Sequence, residues 1–289
     1  MNNYINCIAH DSSEGNLLIG DTHTALIDCG MIFCAAETIQ KVKDALNGKS
    51  LDYIFFTHTH YDHIGALPFF KKEWPHLRTV TSEKGAAVLL KDTPRRIIRE
   101  LSHIAAKLHN ITIDTAYNDD VFRGDIIVKE GDSISLGGLT VEVLETPGHT
   151  RDSLSFFIPE LEALILNETQ GVLMPDGSIY PGYLTSYADA VNSIEKCMKI
   201  PYKFLSLPHR NIVSSEDADG YLERALAVTT ACRDFILQMK EKGLTEKEME
   251  ESFCRQYYSK VLSTFQPKEA FMANARATIS FTLKESGFH

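Results

Sequence analysis

One segment, THTHYDHIGA at residues 57–66, constrains this chain more than any other. It follows residues 51–56, a continuous apolar run of the kind expected of a strand buried on both faces. With 11 histidines among 289 residues, a chance HxHxDH match anywhere in the chain is on the order of one in a thousand. In an extended stretch side chains two apart face the same way, so His58 and His60 can chelate one ion. The chain then turns, and Asp62 and His63 point towards a neighbouring ion. Gly65 is expected to let backbone pass close to that site with no side chain in the way. Imidazole nitrogen and carboxylate oxygen suit Zn²⁺, with Fe or Mn nearly as suitable.

The rest of the chain alternates between strands and helices. Residues 4–8, 16–20 and 23–28 read as short strands, and 36–47 as a helix ended by Asn47-Gly48. From 94 to 110 the residues Ile97, Ile98, Leu101, Ile104, Ala105 and Leu108 keep helical spacing, with Thr93 as N-cap and Pro94 in the first turn. Strands are expected near 126–129, 133–136, 140–145, 153–158, 163–166 and 205–207, with Gly137-Gly138 as a hairpin turn. Two halves are detectable, split near residue 125. After Ser214 the periodicity is helical over 216–240, 245–257 and 267–285, with a capping box at Thr245 and Glu248 and Pro267 in a first turn.

Composition narrows the class of partner. Lys and Arg number 29 against 39 Asp and Glu, a net charge of −10, which disfavours nucleic acid and anionic membranes. Six cysteines, Cys7, Cys29, Cys34, Cys197, Cys232 and Cys254, form no CxxC pair and read as reduced thiols in a cytoplasmic protein. No apolar run reaches the roughly 20 residues of a membrane span, and the N-terminus shows no signal-peptide pattern. An apolar face on the helical tail, if exposed, would suit a homodimer.

The 57–66 motif resembles the signature of the metallo-β-lactamase superfamily, and the resemblance extends over roughly residues 4–212. It implies an α/β fold, a four-layer αββα sandwich, here with a helical insertion at about 83–124 and a helical C-terminal extension. A hydrolase domain would span 1–213, with 214–289 packed on it. TPGHTRDS supplies His149, ALILNETQG supplies Glu168 and LSLPHRN supplies His209, each expected at a strand end. By the same resemblance His58, His60 and His149 hold one divalent ion (Zn, or Fe/Mn), and Asp62, His63 and His209 a second, bridged by Glu168. The bridging residue is usually Asp, so the longer Glu168 changes reach and angle. Asp28, in LIDCG, is similar to a residue that orients ligands. The stretch 57–84 is similar to the branch of quinolone-signal response proteins.

The chemistry so implied is metal-dependent hydrolysis of a small molecule by a metal-activated hydroxide, with Asp62 orienting it or returning a proton. An ester or thioester is the first expectation, and a phosphodiester or lactone the alternative. A regulatory or protein-binding module with a structural metal centre is the reading from another class. His60 stands where flavodiiron oxygen reductases usually carry Glu, which argues against that redox branch. Arg95, Arg96, Arg99, Tyr183, Arg210 and aromatics near Phe265 could line a pocket, but each reads first as a solvated or packing residue. Cys34 and Cys197 read as small buried hydrophobes.

Overall fold

The computed structural model describes residues 4–6, 15–113, 117–209, 212–214, 218, 220–260, 262–264 and 266–288. Cys7, Arg210 and Phe265 lie outside the described residues.

The first half builds one six-stranded sheet from β1 (Tyr4–Asn6), β2 (Asn16–Ile19), β3 (Thr24–Ile27), β4 (Tyr53–Phe55), β5 (Arg78–Ser82) and β6 (Ile126–Val128), in that order. β1, β2 and β3 pair antiparallel, whereas β3 to β6 run parallel. The parallel crossovers carry α1 (Ala35–Leu46), α2 (Tyr61–Ile64), α3 (Leu67–Glu73), α4 (Glu83–Leu89) and α5 (Asp92–Leu108). The second half builds another sheet from β7 (Ser133–Ser135), β8 (Thr140–Glu145), β9 (Leu154–Ile158), β10 (Ala163–Ile165), β13 (Phe204–Ser206) and β14 (Ile212–Ser214). A small hairpin, β11 (Val172–Leu173) and β12 (Ile179–Tyr180), and α6 (Tyr187–Cys197) lie between β10 and β13. Helices α7 (Tyr221–Glu241), α8 (Glu246–Tyr257) and α9 (Lys268–Glu285) complete the chain.

Period-two alternation in doubly buried strands creates the layers. Ala25, Ile27 and Phe55 meet Val143, Phe156 and Ile165 of the opposite sheet in one core. Their neighbours Leu26 and Ile54 turn to the other face, against Val42 and Leu46 of α1 and Phe70 of α3. Leu164 and Leu205 likewise turn outward against Ile194 and Cys197 of α6 and Leu222 of α7. The result is helix, sheet, sheet, helix, an α/β metallo-β-lactamase fold with a helical C-terminal region.

Several local expectations are corrected. α5 begins at Asp92 after Lys91, which makes no side-chain cap, rather than at a Thr93 cap; Pro94 still falls in the first turn, where its missing N–H costs nothing. Asn47, at φ 47°, closes α1 in the left-handed conformation ahead of Gly48. Pro267 precedes α9 as its N-cap. α7 runs from Tyr221 after the N-cap Gly220, and the expected start near 216 lies outside the described residues. The largest correction concerns α5, where Ile98, Ser102, Ala105 and Ala106 are buried but Ile97, Leu101, Ile104 and Leu108 are exposed. The Gly137-Gly138 hairpin and the Thr245–Glu248 capping box both form.

The C-terminal helices share a core with the body: Met174, Tyr183 and Ala190 pack with Cys232, Phe253, Phe271 and Ile279. Tyr183 is fully buried and its hydroxyl lies 2.9 Å from Thr282 Oγ1 of α9, so it is a packing residue. Arg99 pairs with Asp119 (2.6 Å) over the Tyr117 ring, Arg95 with Asp120 (2.9 Å), and exposed Arg96 lies 3.7 Å from Glu100. Cys34 and Cys197 are buried, as small apolar side chains would be. Among the described residues no helix is long and apolar enough to cross a membrane.

Candidate metal centre

The seven expected ligands converge from four strand ends. His58 and His60 follow β4, and Asp62 and His63 sit on α2 immediately after. β8 and β10 both run antiparallel to β9, and β13 runs parallel to β10. These three strands therefore share a direction and deliver His149, Glu168 and His209 to one edge. That edge is tied to the first sheet by Leu154 N–H, which donates to Thr57 O at 2.7 Å.

Two groups of donor atoms result, each with its atoms within 4.8 Å of one another: His58, His60 and His149, and Asp62, His63, Glu168 and His209. In the first, His149 Nδ1 donates to Gly182 O at 2.6 Å, which leaves Nε2 with its lone pair 3.1 Å from His60 Nδ1. In the second, His63 Nδ1 donates to Asp28 Oδ2 at 2.9 Å and so turns Nε2 towards Glu168 Oε1 at 2.6 Å. His209 Nε2 reaches the same oxygen at 2.8 Å. Asp62 Oδ2 stands 3.9 Å from each of those imidazole nitrogens.

The surroundings fix these orientations. Asp28, 1% exposed and at φ 57°, also accepts from Thr57 N–H (2.8 Å) and Thr57 Oγ1 (2.6 Å). Glu168 opens a short 3-10 turn whose capping box joins Asn167 and Gln170, all buried. His209 holds φ 58°, a strained conformation for a non-glycine residue at a site of this kind. Backbone does pass close to Gly65: a Cβ there would meet Tyr61 O of α2 at 2.4 Å and Ile32 N at 3.3 Å, with Ser102 Oγ of α5 at 3.1 Å.

Three positioning residues escaped the sequence reading. Asp152 Oδ2 accepts from Thr59 N–H at 3.0 Å, between two histidines of the motif. Thr169 Oγ1 accepts from His149 N–H at 3.0 Å. Gly182, besides holding His149, approaches so closely that a Cβ would stand 1.8 Å from Glu168 O. Asp152 lay in view in TPGHTRDS; Gly182 carries no local sign of its role.

Electrostatics show what this arrangement lacks on its own. Burial pushes His58 well below the ordinary imidazole range and His149 down to about 4, so both present neutral nitrogens. Burial would lower His63 and His209 too, but Glu168 and its neighbouring carboxylates reverse the sign, raising His63 well above normal and His209 to about 9. Burial would raise Glu168, yet the surrounding imidazoles, His63 foremost, hold it well below the carboxylate range. The carboxylates therefore demand positive charge. Glu168 Oε2 and His58 Nε2 are buried with no hydrogen-bond partner among the described residues. An unpartnered buried acceptor costs about 1–3 kcal/mol, and a buried charge more, so the donor set fits bound cations.

Comparison with known proteins decides the family. The pattern described as "Metallo-beta-lactamase superfamily" matches residues 16–209. The chain belongs to this superfamily. It is 24% identical over 222 residues to the metallo-beta-lactamase fold-containing protein ST1585 of Sulfurisphaera tokodaii, covering 73% of this chain and 77% of that one. A nitric oxide reductase of Moorella thermoacetica is 30% identical over 155 residues, 53% of this chain but only 33% of the reductase. A hydroxyacylglutathione hydrolase of Rhodopseudomonas palustris is 27% identical over 162 residues, 56% of this chain and 46% of the hydrolase. The superfamily chain thus spans half or less of the length of these last two relatives. The family protein TTHA1429 of Thermus thermophilus superposes with a TM-score of 0.66 at 18% identity, over 99% of this chain and 95% of its own, a likeness of fold.

Proposed function

We propose that this protein is a metal-dependent hydrolase with two divalent ions, zinc or else iron or manganese, acting on an ester or thioester. The observation that carries the reading is the pair of abutting donor groups with Glu168 Oε2 and His58 Nε2 buried and unpartnered. His58, His60 and His149 would hold the first ion, and Asp62, His63 and His209 the second, with Glu168 between them. When bound, the ions supply Lewis acidity and lower the pKa of a water towards neutrality. No serine or cysteine nucleophile is then required.

The chain's own residues supply the rest. Gly182 O and Asp28 fix the tautomers of His149 and His63, and Asp152 holds the backbone between His58 and His60. Asp62 is 20% exposed against 2% for His63 and 5% for Glu168, which makes its carboxylate the acid best placed to exchange a proton with solvent or leaving group. Likeness to a hydroxyacylglutathione hydrolase, a thioester-cleaving enzyme by name, supports thioester over phosphodiester or lactone. Cytoplasmic location accords with the unbridged thiols of Cys29, Cys197, Cys232 and Cys254.

The test is turnover of thioester, lactone and bis-aryl phosphate substrates by metal-loaded wild type and Asp62→Asn. Thioester turnover that depends on metal and falls about 10²–10⁴-fold in the variant is expected. Full metal loading with no turnover on any panel would sink the hydrolase reading and leave a structural metal centre.

A further inference from the structure

Seen from the sequence, the tail is where an exposed apolar face would be sought, but the structure puts that face on α5. Ile97, Leu101, Ile104 and Leu108 stand on one side of the helix at spacings of four, three and four, and Leu90 and Ile111, just before and just after the helix, are exposed too. All six are between 37% and 72% exposed. Spacing of this kind is that of a two-helix seam, in which alternate residues insert between those of a facing helix. The opposite side of α5, with Ile98, Ser102 and Ala105, is buried against the body and is not available for a partner.

We propose that this stripe is the interface of a homodimer, in which α5 packs antiparallel against α5 of a second copy across a twofold axis. Charge supports this occupant. Glu100 and Lys107 are exposed, seven residues apart, and flank the stripe on the same side. In an antiparallel pairing centred between Leu101 and Ile104, Glu100 of each copy faces Lys107 of the other, so one surface complements itself twice, as a twofold interface requires. Glu100 also lies 3.7 Å from Arg96 in its own helix, an exposed contact that is easily exchanged. Because α5 packs on α2, which carries Asp62 and His63, the interface would brace the helix behind these donors.

The experiment is mass measurement by light scattering and sedimentation across the micromolar range, on the full-length metal-loaded protein. Wild type is expected at twice 32.4 kDa. Leu101→Glu with Ile104→Glu should raise the dissociation constant more than about tenfold, with unchanged circular dichroism and metal content. A charge series reads the same interface without touching its apolar centre. Glu100→Lys and Lys107→Glu should each weaken the dimer, and the two together should restore it. A wild-type mass of 32.4 kDa at every concentration overturns the proposal. So does a dimer indifferent to both substitution sets. A monomer whose stripe variants instead raise KM for long-chain acyl thioesters would give the stripe to substrate and equally overturn it.

Discussion

Asp28 illustrates how one buried carboxylate can set a whole half-site. It accepts from His63 Nδ1 and from both the N–H and the hydroxyl of Thr57, so it fixes the ring of a donor and the start of the HxHxDH loop together. Asn at this position keeps the left-handed backbone and one acceptor oxygen but removes the charge that would make His63 a stronger ligand for the proposed ion. Asp28→Asn is expected to weaken one of two metal-binding steps by about 10–100-fold and leave the other unchanged, as read by chelator competition. Equal weakening of both steps would contradict this division of labour.

Between elements, the link that matters most runs from α9 to the donors. Thr278 Oγ1 donates to Tyr183 O, the Tyr183 hydroxyl meets Thr282, and the adjacent Gly182 carbonyl receives His149 Nδ1–H. The tail thereby helps to set a donor that is far from it in sequence. Gly182→Ala would place a methyl group into Glu168 O and is expected to abolish metal binding at both groups, while Tyr183→Phe should cost about 1 kcal/mol of stability by denaturant titration and leave metal content intact. A second link joins α3 to the first sheet. Burial would raise Asp125, but donors from Lys71, Thr79 and Arg123 bring it down to about 2. An unfolded aspartate titrates near about 3.9, so this stabilisation is complete above that value and is lost as pH falls towards 2. Asp125→Asn should therefore lower the unfolding midpoint at neutral pH, by a margin that shrinks between pH 4 and 2. A margin independent of pH would refute the assignment.

At the scale of the molecule, what was legible in the sequence is what is local. The 57–66 motif encodes its own chelating geometry, and His149, Glu168 and His209 follow apolar runs that announce strand ends. Alternation within β3, β4 and β10 likewise signals sheets covered on both faces. Gly182 was not legible, because its contribution is a backbone carbonyl brought to His149 by tertiary packing. α5 was half legible: periodicity showed an apolar arc but not which part of it the body covers, and only Ile98 and the small residues beside it are buried. α3 and α6 went unread, the one directly after the motif and the other in an unremarkable polar stretch. Removal of ions held as proposed is expected to lower the thermal midpoint of the whole chain, since donor groups from both sheets meet at one site.

Anomalous scattering from metal-loaded crystals, collected across the zinc, iron and manganese edges, addresses the central claim most directly. Two peaks per chain are predicted, one among His58, His60 and His149 and one among Asp62, His63, Glu168 and His209. Crystals of metal-saturated protein with no peak at either group, or with metal only elsewhere on the surface, would contradict it.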